Sequence, residues 1–459
     1  MLDILKWSHQ FVCGVPSVVM ILGLGVYLTV RTRLVQFRLL PKAFRTLIRH
    51  FAEKDDNGNT SPFRALCTAL AATVGTGNLA GVAGAIAIGG PGSIFWMWIC
   101  GLVGMATKYA EAVLAVRYQQ LNADGTMSGG PMYVIMKGLG SNWRILAAVY
   151  CFFGVVASFG VGTGTQINAV VTSINSVTSI LGYSLSGSMN LIIGITLGLV
   201  VTAMVSGGAK RIGQTAERLV PLAAAIYIAL SLAVLMMRSC QIQQALTSIF
   251  TGAFSPCAVT GGIMGSLFTT IRIGVSRGVF TNEAGMGTAG IAHGGAKVDH
   301  PGEQGLMGIM EVFLDTIVIC TLTALVILVS DVPIPYGFDE GMALTTRAFS
   351  SVYGNWVAVL LALEAVCFAF ATILGWGMYG ARCAEFLFGK NVWKYFGLFQ
   401  GVTVVFSAVW NTEIVWMISE MINVLMSVPN IIALFLLTPE VLRLTKEYRP
   451  KRHNLSSRN

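Results

Sequence analysis

Eleven apolar runs that are candidates to cross a bilayer as helices constrain the fold more than any other feature of this chain. A spanning helix needs about 20 predominantly apolar residues. The runs cover residues 11–30, 63–88, 92–116, 144–173, 189–206, 218–237, 259–292, 304–330, 355–380, 395–410 and 414–437. Only 11% of the 459 residues are charged, whereas soluble domains carry about 25%. The sequence therefore predicts an all-α polytopic membrane protein.

The first run, residues 11–30, is predicted to be a span rather than a signal peptide. It is longer than the apolar core of a signal peptide and has no Ala-x-Ala cleavage site. Arg31 and Arg33 follow it, as they would follow a stop-transfer segment.

The positions of lysine and arginine predict the orientation of the chain, because cytoplasmic loops carry an excess of both. With residues 31–54 inside, the cytoplasmic segments hold 23 of the 30 basic residues and the outside segments hold three. The N-terminus is therefore predicted outside and the C-terminus in the cytoplasm. A nucleic-acid partner is not expected, since it would require one clustered basic patch. A contribution of residues 31–54 to binding anionic lipid stays open.

The spans after the first divide into two sets of five. Residues 1–62 are predicted to form an N-terminal peripheral helix and a basic cytoplasmic loop, 63–240 the first five-helix repeat, 256–438 a second, inverted repeat, and 439–459 a cytoplasmic tail. An odd number of spans in each set inverts the second set relative to the first. The nine cysteines show no C-x-x-C spacing, so we expect small buried hydrophobes rather than disulfides or metal ligands.

Glycine interrupts the span that opens each set. The first contains AATVGTGNLAGVAGAIAIGGPG, residues 71–92, and the second contains IGVSRGVFTNEAGMGTAGIAHGG, residues 273–295. Each glycine weakens a helix by about 1 kcal/mol relative to alanine. Paired interruptions at corresponding positions of two halves are the best sequence indication of a binding site in a transporter.

A helix that breaks inside the membrane frees peptide groups, which must line a cavity or bind a ligand. The second half of the first broken span starts near Thr76–Gly77–Asn78, where free N–H groups and the positive end of the helix dipole suit a carboxylate. The first half ends near Ala71–Val74, where free carbonyl groups suit a cation such as Na⁺. The break is therefore predicted to bind a zwitterionic amino acid together with an ion.

Two other interpretations of these glycines are less favoured. Gly75 to Ala80 match the dinucleotide pattern G-x-G-x-x-A, but the flanks are spans and residues 95–107 hold no acidic residue, so we reject a dinucleotide site. Close packing of helices through small residues is expected for later glycines such as Gly101 and Gly104. It explains the polar residues of the break poorly.

Three long motifs carry a family resemblance. They read LAATVGTGNLAGVAGAIAIGGPGSIFWMWICGLVGMATKYAEAVLAVRY, DGTMSGGPMYV and RGVFTNEAGMG. Over nearly the whole chain, the sequence resembles the alanine or glycine:cation symporter family (AGCS), sodium:alanine symporter type. The resemblance implies eleven transmembrane helices in a LeuT-like 5+5 inverted repeat with discontinuous helices, preceded by one peripheral helix. It also implies Na⁺-coupled uptake of small neutral amino acids, chiefly alanine and glycine, by alternating access; proton coupling or a preference for glutamine is the alternative.

The resemblance also implies the site residues. Amide groups around Thr76 and Gly77 would hold the substrate carboxylate. Carbonyl groups of Ala71 and Val74, with the hydroxyl of Thr372, would bind Na⁺. The other residues expected to line the substrate site are Thr73, Asn78, Gln166, Phe280, Thr281, Asn282, Thr372 and Trp376. Trp376 lies one turn after Thr372 and would limit the size of the pocket. The segment GTAGIAHGG departs from the family pattern in being richer in glycine.

Several ionisable residues lie in or at the ends of the predicted spans: Lys108, Glu111, Arg272, Arg277, Glu283, Glu311, Asp315, Glu364 and Glu385. An intramembrane charge is a functional hypothesis by default. Lys108 and Glu111, spaced i,i+3, are expected to form a structural pair. Glu283 is expected to pair with an arginine of residues 272–277; a gate or proton carrier at Glu283 is the alternative.

A membrane enzyme and a channel are the competing classes. An enzyme would need a catalytic constellation, and no convincing one is present, so we predict no enzyme and no cofactor beyond Na⁺ as coupling ion. His293 and His300 are expected on a solvated face rather than at a metal. A channel would need a filter repeated by oligomerisation, whereas this chain holds both halves of its site. The expected location is the bacterial inner membrane, and the oligomeric state stays open.

Overall fold

The computed structural model describes residues 7–9, 11–52, 60–122, 126–180, 187–255, 266–409 and 413–448. These residues are helical apart from short connections and one antiparallel pair of strands, β1 (Gln120–Leu121) and β2 (Met127–Ser128), with Gln120 opposite Ser128. The predicted boundary at residue 256, the start of the predicted span 259–292 and the end of the predicted tail lie outside the described residues.

The named helices before residue 256 include the two halves of the first broken span, α3 and α4. They are α1 (Val15–Arg31), α2 (Val35–Ala52), α3 (Pro62–Thr73), α4 (Gly77–Gly89), α5 (Ser93–Arg117), α6 (Pro131–Val134), α7 (Arg144–Phe159), α8 (Thr165–Ile180), α9 (Gly187–Ser206), α10 (Gly208–Met237) and α11 (Ile242–Phe254). The first residues of α4, Gly77–Gly81, are π-helical. A π-helical stretch also extends α6 over Ile135–Leu139, and another joins α7 to α8 over Gly160–Gly164.

The helices after residue 266 contain the second interruption. They are α12 (Leu267–Asn282), α13 (Thr288–His293), α14 (Pro301–Val329), α15 (Met342–Tyr353), α16 (Trp356–Phe388), α17 (Val392–Val409), α18 (Glu413–Leu436) and α19 (Thr438–Glu447). α14 is π-helical over Phe313–Cys320. Short 3₁₀ turns at Ser141–Trp143 and Ser239–Gln241 precede α7 and α11.

Eight of the described helices are long and apolar enough to cross a membrane, or up to ten spans result if each of two bent pairs counts as one. The bent pairs are α1 with α2, at 80°, and α3 with α4, at 53°. The prediction of an all-α, multi-pass membrane protein is therefore confirmed. The predicted span 259–292 is described only from residue 266 onward, as the 16-residue α12 followed by α13.

The first predicted break is present between α3 and α4. The Ser61 side chain caps α3 by accepting the N–H of Arg64 at 3.1 Å, and Pro62 takes the first helical position, as is typical of a helix start. α3 ends at Thr73, and Val74 is extended, with ψ of 96°. The segment 71–82 is therefore not one helix.

The second predicted break lies between α12 and α13. Glu283, just after α12, has the left-handed φ of 53°, and Gly285 and Gly287 follow with φ of 94° and 80°. Glycine adopts this region without steric cost, which explains why the segment needs glycine at those two positions. Gly278 lies within α12 and takes no part in the break.

Helices occur in the two segments that we predicted as a basic loop and a cytoplasmic tail. The predicted basic loop 31–54 is helical over α2, and the predicted tail 439–459 starts inside α19. α2 packs against α14 and α5. Its basic residues therefore belong to an amphipathic helix rather than to a loop.

α5 lies at the centre of the packing, against α1, α12 and α14. A Cβ on Gly101 would lie 3.0 Å from Thr316, and one on Gly104 would lie 3.1 Å from Ala284. This confirms the close-packing interpretation of these two glycines. The eight cysteines within the described ranges form no disulfide, and five of them are buried, as expected of small hydrophobes.

Candidate functional site

A side chain from the second half of the first broken helix caps the break itself. The N–H of Gly75 donates to Asn78 Oδ1 at 2.9 Å. Asn78 is fully buried, so a backbone donor at the break is satisfied inside the protein, as the membrane interior requires. Asn78, which we expected to line the substrate pocket, thus has a structural role at the break.

Three predicted site residues meet around Gly75. Thr76 Oγ1 donates to Gln166 Oε1 at 2.9 Å. A Cβ on Gly75 would lie 2.6 Å from Thr372 Oγ1 and 3.4 Å from Gln166 Oε1, so glycine permits this close approach of α8 and α16. Thr372 donates its own proton to the Phe368 carbonyl at 3.0 Å. Its oxygen therefore remains able to accept or to coordinate at the break.

The two broken helices touch at Gly77. A Cβ on Gly77 would lie 3.5 Å from the ring of Phe280 and 3.7 Å from Thr281 Cγ2. The Thr281 hydroxyl donates to the Arg277 carbonyl. Phe280 also borders a cavity of about 50 Å³ between α1, α12 and α18. The structure therefore brings these two predicted residues of α12 against the start of α4.

A chain of hydrogen bonds joins the two breaks through α14. Asn78 Nδ2 donates to Asp315 Oδ1 at 2.7 Å, and Thr316 Oγ1 donates to Asp315 Oδ2 at 2.8 Å. Asn282 Nδ2 donates to Thr316 Oγ1 at 3.2 Å, and Asn282 Oδ1 accepts the N–H of Ala284 at 3.0 Å. The four side chains are fully buried. Sequence analysis recognised Asp315 only as an intramembrane charge and missed this connection.

A hydrogen bond to Glu283 and close contact with Gly162 fix the position of the Trp376 side chain. It is 1% exposed on α16, and its Nε1 donates to Glu283 Oε1 at 2.9 Å. A Cβ on Gly162 would lie 2.3 Å from Trp376 Cβ, so the π-helical turn 160–164 makes room for the side chain. Trp376 therefore connects α16 to the second break and to the turn between α7 and α8.

Glu283 does not pair with an arginine of residues 272–277, so that prediction is wrong. Besides the indole, it accepts the hydroxyl of Thr288 at 2.6 Å. Arg277 pairs instead with Asp339, at 3.1 Å. The reason is local, because Glu283 lies in the left-handed turn after α12 and does not share a helical face with Arg277.

The buried charges of α5 pair across helices rather than along α5. Lys108 Nζ lies 2.8 Å from Glu311 Oε1, and both side chains are fully buried. Glu311 Oε2 lies 2.9 Å from His293 Nε2. The predicted pair of Lys108 with Glu111 is therefore wrong, because a desolvated ammonium requires a partner in direct contact and α14 supplies it. His293, expected on a solvated face, is fully buried in this cluster.

Glu111 closes the second break instead. Its Oε1 accepts the N–H groups of Gly285 and Gly287, each at 3.0 Å, and Asn430 Nδ2 at 2.8 Å. Asn430 also donates to the Gly285 carbonyl at 2.9 Å. The sequence does not reveal that Glu111 and Asn430 cap this break. The only signal for them is a polar side chain within an apolar run.

The end of α3 presents the residues predicted to bind the cation. Ala71 and Val74 are buried in and just after its last turn, where helix carbonyls lack intrahelical donors and carry partial negative charge. Together with the hydroxyl of Thr372, which lies against the next residue of the chain, they are the kind of donor that hard cations prefer. The Thr73 hydroxyl, by contrast, donates to the Ala69 carbonyl at 3.2 Å.

This helical membrane protein has two broken helices whose freed peptide groups contact buried polar side chains. Such an arrangement is typical of a secondary transporter. The sequence profile described as "Sodium:alanine symporter family" matches residues 1–459. The chain belongs to the sodium:alanine symporter family.

Two relatives agree with this membership, and a solved structure shares the fold. The chain is similar to the "Sodium/alanine symporter AgcS" of Methanococcus maripaludis, at 40% identity over 450 residues that cover 97% of each chain. It is similar to the "Probable sodium/glutamine symporter GlnT" of Bacillus subtilis, at 37% identity over 447 residues, or 97% of this chain and 88% of that one. A crystal structure of MhsT in complex with L-phenylalanine shares the fold, with a TM-score of 0.55 and 14% identity over 84% of this chain and 97% of that chain.

These matches confirm the family resemblance of the three sequence motifs. They support symport of an amino acid with a cation, and sodium is the ion in the name of the family. The family is one of transporters, which favours the transporter class over the membrane enzyme. The likeness to MhsT, a LeuT-fold protein, supports the predicted fold class at the level of a helical membrane fold.

The close approach at Gly75 makes a double-variant prediction. Gly75→Ala is expected to lower the thermal stability of the purified protein, because overpacking costs about 1–3 kcal/mol and the new Cβ would meet Thr372 Oγ1. Thr372→Ala removes that oxygen, so the double variant should recover most of the loss in a fluorescence melt. Gly81→Ala, whose Cβ would have nothing within 4 Å, is the matched control. Additive losses in the double variant would contradict the contact.

Proposed function

We propose that this protein is a secondary active symporter that couples inward movement of Na⁺ to the uptake of small neutral amino acids, above all alanine and glycine, by alternating access. One observation carries the proposal. Thr76, Gln166 and Thr372 meet at the first helix break, between the carbonyl end of α3 and the amide end of α4. A zwitterion and its coupling ion match this opposed pair of partial charges.

The substrate carboxylate binds the amide groups at Thr76 and Gly77 in this proposal. They are the first residues of the second half-helix, where N–H groups lack intrahelical acceptors and the dipole is positive. Gln166 adds a polar contact from α8. Thr281 adds a contact from α12. Asn78 and Asn282, both held by hydrogen bonds to α14, support the site from behind rather than through direct contact with the substrate.

Two large side chains favour a small substrate. Trp376 lies on α16 and Phe280 on α12, and both border the region of the breaks. In this proposal the two rings limit the length of the substrate side chain. Thr73 completes the wall of the pocket on α3.

Na⁺ binds the carbonyl groups of Ala71 and Val74 and the hydroxyl of Thr372 in the same proposal. All three ligands are neutral oxygen donors of the type that hard cations prefer. Since the carbonyl end of α3 carries the negative end of its dipole, bound Na⁺ and a bound carboxylate would each reinforce the binding of the other.

The proposed architecture has eleven spans in two inverted five-helix repeats, with the first helix outside the repeats. The N-terminus lies outside, the C-terminus lies in the cytoplasm, and the protein resides in the bacterial inner membrane. The alternation of basic residues between loops supports this orientation.

A preference for glutamine is the alternative substrate specificity. The observation in its favour is the similarity to a probable sodium/glutamine symporter. The rings of Trp376 and Phe280 argue for the smaller substrate.

Alanine uptake tests the function directly. Purified protein in liposomes is expected to accumulate radiolabelled alanine above the outside concentration when Na⁺ is higher outside and pH is equal on both sides. With Na⁺ equal on both sides, accumulation should cease. Accumulation driven by a pH gradient alone would establish proton coupling and contradict the proposed ion. Competition by excess glycine, glutamine or phenylalanine ranks the substrates, and stronger competition by glutamine than by glycine would support the alternative.

Gln166→Ala tests the proposed pocket. It is expected to weaken Na⁺-dependent alanine binding roughly tenfold, the effect of about 1.4 kcal/mol, because a polar contact is lost. Titration calorimetry on monodisperse protein measures it. Gln36→Ala is the matched control, since Gln36 is also a buried glutamine, bonded to Thr29 and the Leu102 carbonyl. Unchanged affinity in Gln166→Ala, or an equal loss in the control, would remove Gln166 from the site.

Cys240 tests the orientation. It is the exposed cysteine among those described, and it follows Arg238 in a segment predicted to lie outside. In a Cys257→Ser background, a membrane-impermeant maleimide should label Cys240 in intact spheroplasts, and Cys240→Ser should abolish the label. Labelling that requires permeabilised membranes would reverse the proposed orientation.

A further inference from the structure

A cavity of about 280 Å³ lies between α2, α3, α10 and the π-helical part of α14. Every residue that lines it is apolar, among them Phe63, Leu70, Val74, Pro221 and Ile319. A cavity with this lining offers no partner to water or ions. Its occupant should therefore be a hydrocarbon.

The cavity opens at the side of the helix bundle. Ile48 and Phe51 of α2 line it, and each is 68% exposed. In a multi-pass membrane protein, an exposed apolar opening of this kind faces lipid rather than water. Lipid acyl chains are the hydrocarbon present at that surface.

The exposed surface of α2 has two neighbouring stripes. Phe37, Phe44, Ile48 and Phe51 are exposed and spaced by seven, four and three residues, which places them on one side of the helix. The second stripe is basic and exposed and consists of Arg38, Lys42 and Arg45. Each of these residues directly follows a residue of the apolar side or Pro41 in the sequence. An apolar stripe beside a basic one is typical of a helix that lies in the membrane interface.

The basic stripe is available to a partner. Arg38, Lys42 and Arg45 form no ion pair with any residue in the described part of the chain. The next basic residue of α2, Arg49, is bonded to Glu303 at the start of α14 and thereby fixes α2 against the bundle. Basic residues near a membrane surface attract anionic lipid.

We propose that this place is a binding site for one anionic phospholipid, with an acyl chain in the cavity and its headgroup at Arg38, Lys42 and Arg45. The apolar lining of the cavity selects the acyl chain, and the positive charge of the basic stripe selects the anionic headgroup. A zwitterionic phospholipid satisfies only the first requirement. The proposal rests on the membrane location of the chain and is independent of the transported substrate.

The site adjoins the first half of the broken helix. The lining residues of α3 include Phe63, Leu66, Cys67 and Leu70, and Val74 at the break continues them. Their spacing of three, one, three and four residues puts them on one side of α3 along its whole length. A bound acyl chain therefore packs against α3 up to the break and restrains its movement relative to α4.

Lipid-dependent stability tests the site. Delipidated protein in a neutral detergent is mixed with phosphatidylglycerol or with phosphatidylcholine of the same acyl chains, and its melting temperature is measured. Phosphatidylglycerol is expected to raise the melting temperature by several degrees more than phosphatidylcholine does. It should also slow amide hydrogen exchange in residues 62–74. Equal stabilisation by the two lipids, or unchanged exchange in that segment, would overturn the proposal.

Matched variants distinguish the contribution of the lipid headgroup from that of the acyl chain. Lys42→Gln combined with Arg45→Gln should reduce the effect of phosphatidylglycerol to that of phosphatidylcholine. Lys390→Gln combined with Lys394→Gln removes two exposed charges elsewhere and should leave the effect unchanged. Ala224→Trp, which fills the cavity from α10, should remove the difference between the lipids; if it does not fold, the charge variants decide alone. Full stabilisation of the Lys42/Arg45 variant by phosphatidylglycerol would overturn the site.

Discussion

A peptide group inside a bilayer has no water to bond, and the architecture depends on how its two helix breaks meet that constraint. An unsatisfied amide costs several kcal/mol in hydrocarbon. Asn78 accepts the N–H of Gly75 at the first break, and Glu111 accepts those of Gly285 and Gly287 at the second. Because side chains rather than solvent satisfy these donors, both breaks persist in a buried setting. In the proposed function, the remaining ends of the half-helices face the substrate and the ion.

The two breaks are capped in different ways. Asn78 lies three residues beyond the amide that it accepts, so the first break depends mainly on its own segment. Glu111 comes from α5 and is itself bonded to Asn430 of α18, so the second break is fastened to two other helices. Asp315 and Thr316 of α14 are hydrogen-bonded to Asn78 and Asn282, so α14 contacts both breaks.

Most of the membrane helices and both helix breaks could be predicted from the sequence. Long apolar runs indicate membrane helices, and glycine residues indicate the two breaks. The meeting of Thr76, Gln166 and Thr372 came from the family resemblance rather than from spacing. The partners of Lys108 and Glu283 could not be predicted, because they are chosen by helix packing and lie up to 203 positions away in the chain. That residues 35–52 form the helix α2 could not be predicted for another reason. Basic residues indicate the cytoplasmic side of the membrane equally well whether they lie on a loop or on a helix.

π-helical stretches accompany the site on three helices, at 77–81, 160–164 and 313–320. Such stretches hold more residues per turn than the α-helix around them and occur often at functional sites. One residue of an α-helix corresponds to a rotation of about 100°. A π-helical stretch contains one residue more than the same length of α-helix. If this stretch shifts along the helix, the segment between its old and new positions rotates by that angle while its backbone stays hydrogen-bonded. Asn78 and Asp315 lie within such stretches, and Gln166 follows one, so a shift of register would redirect these side chains without unwinding the helix.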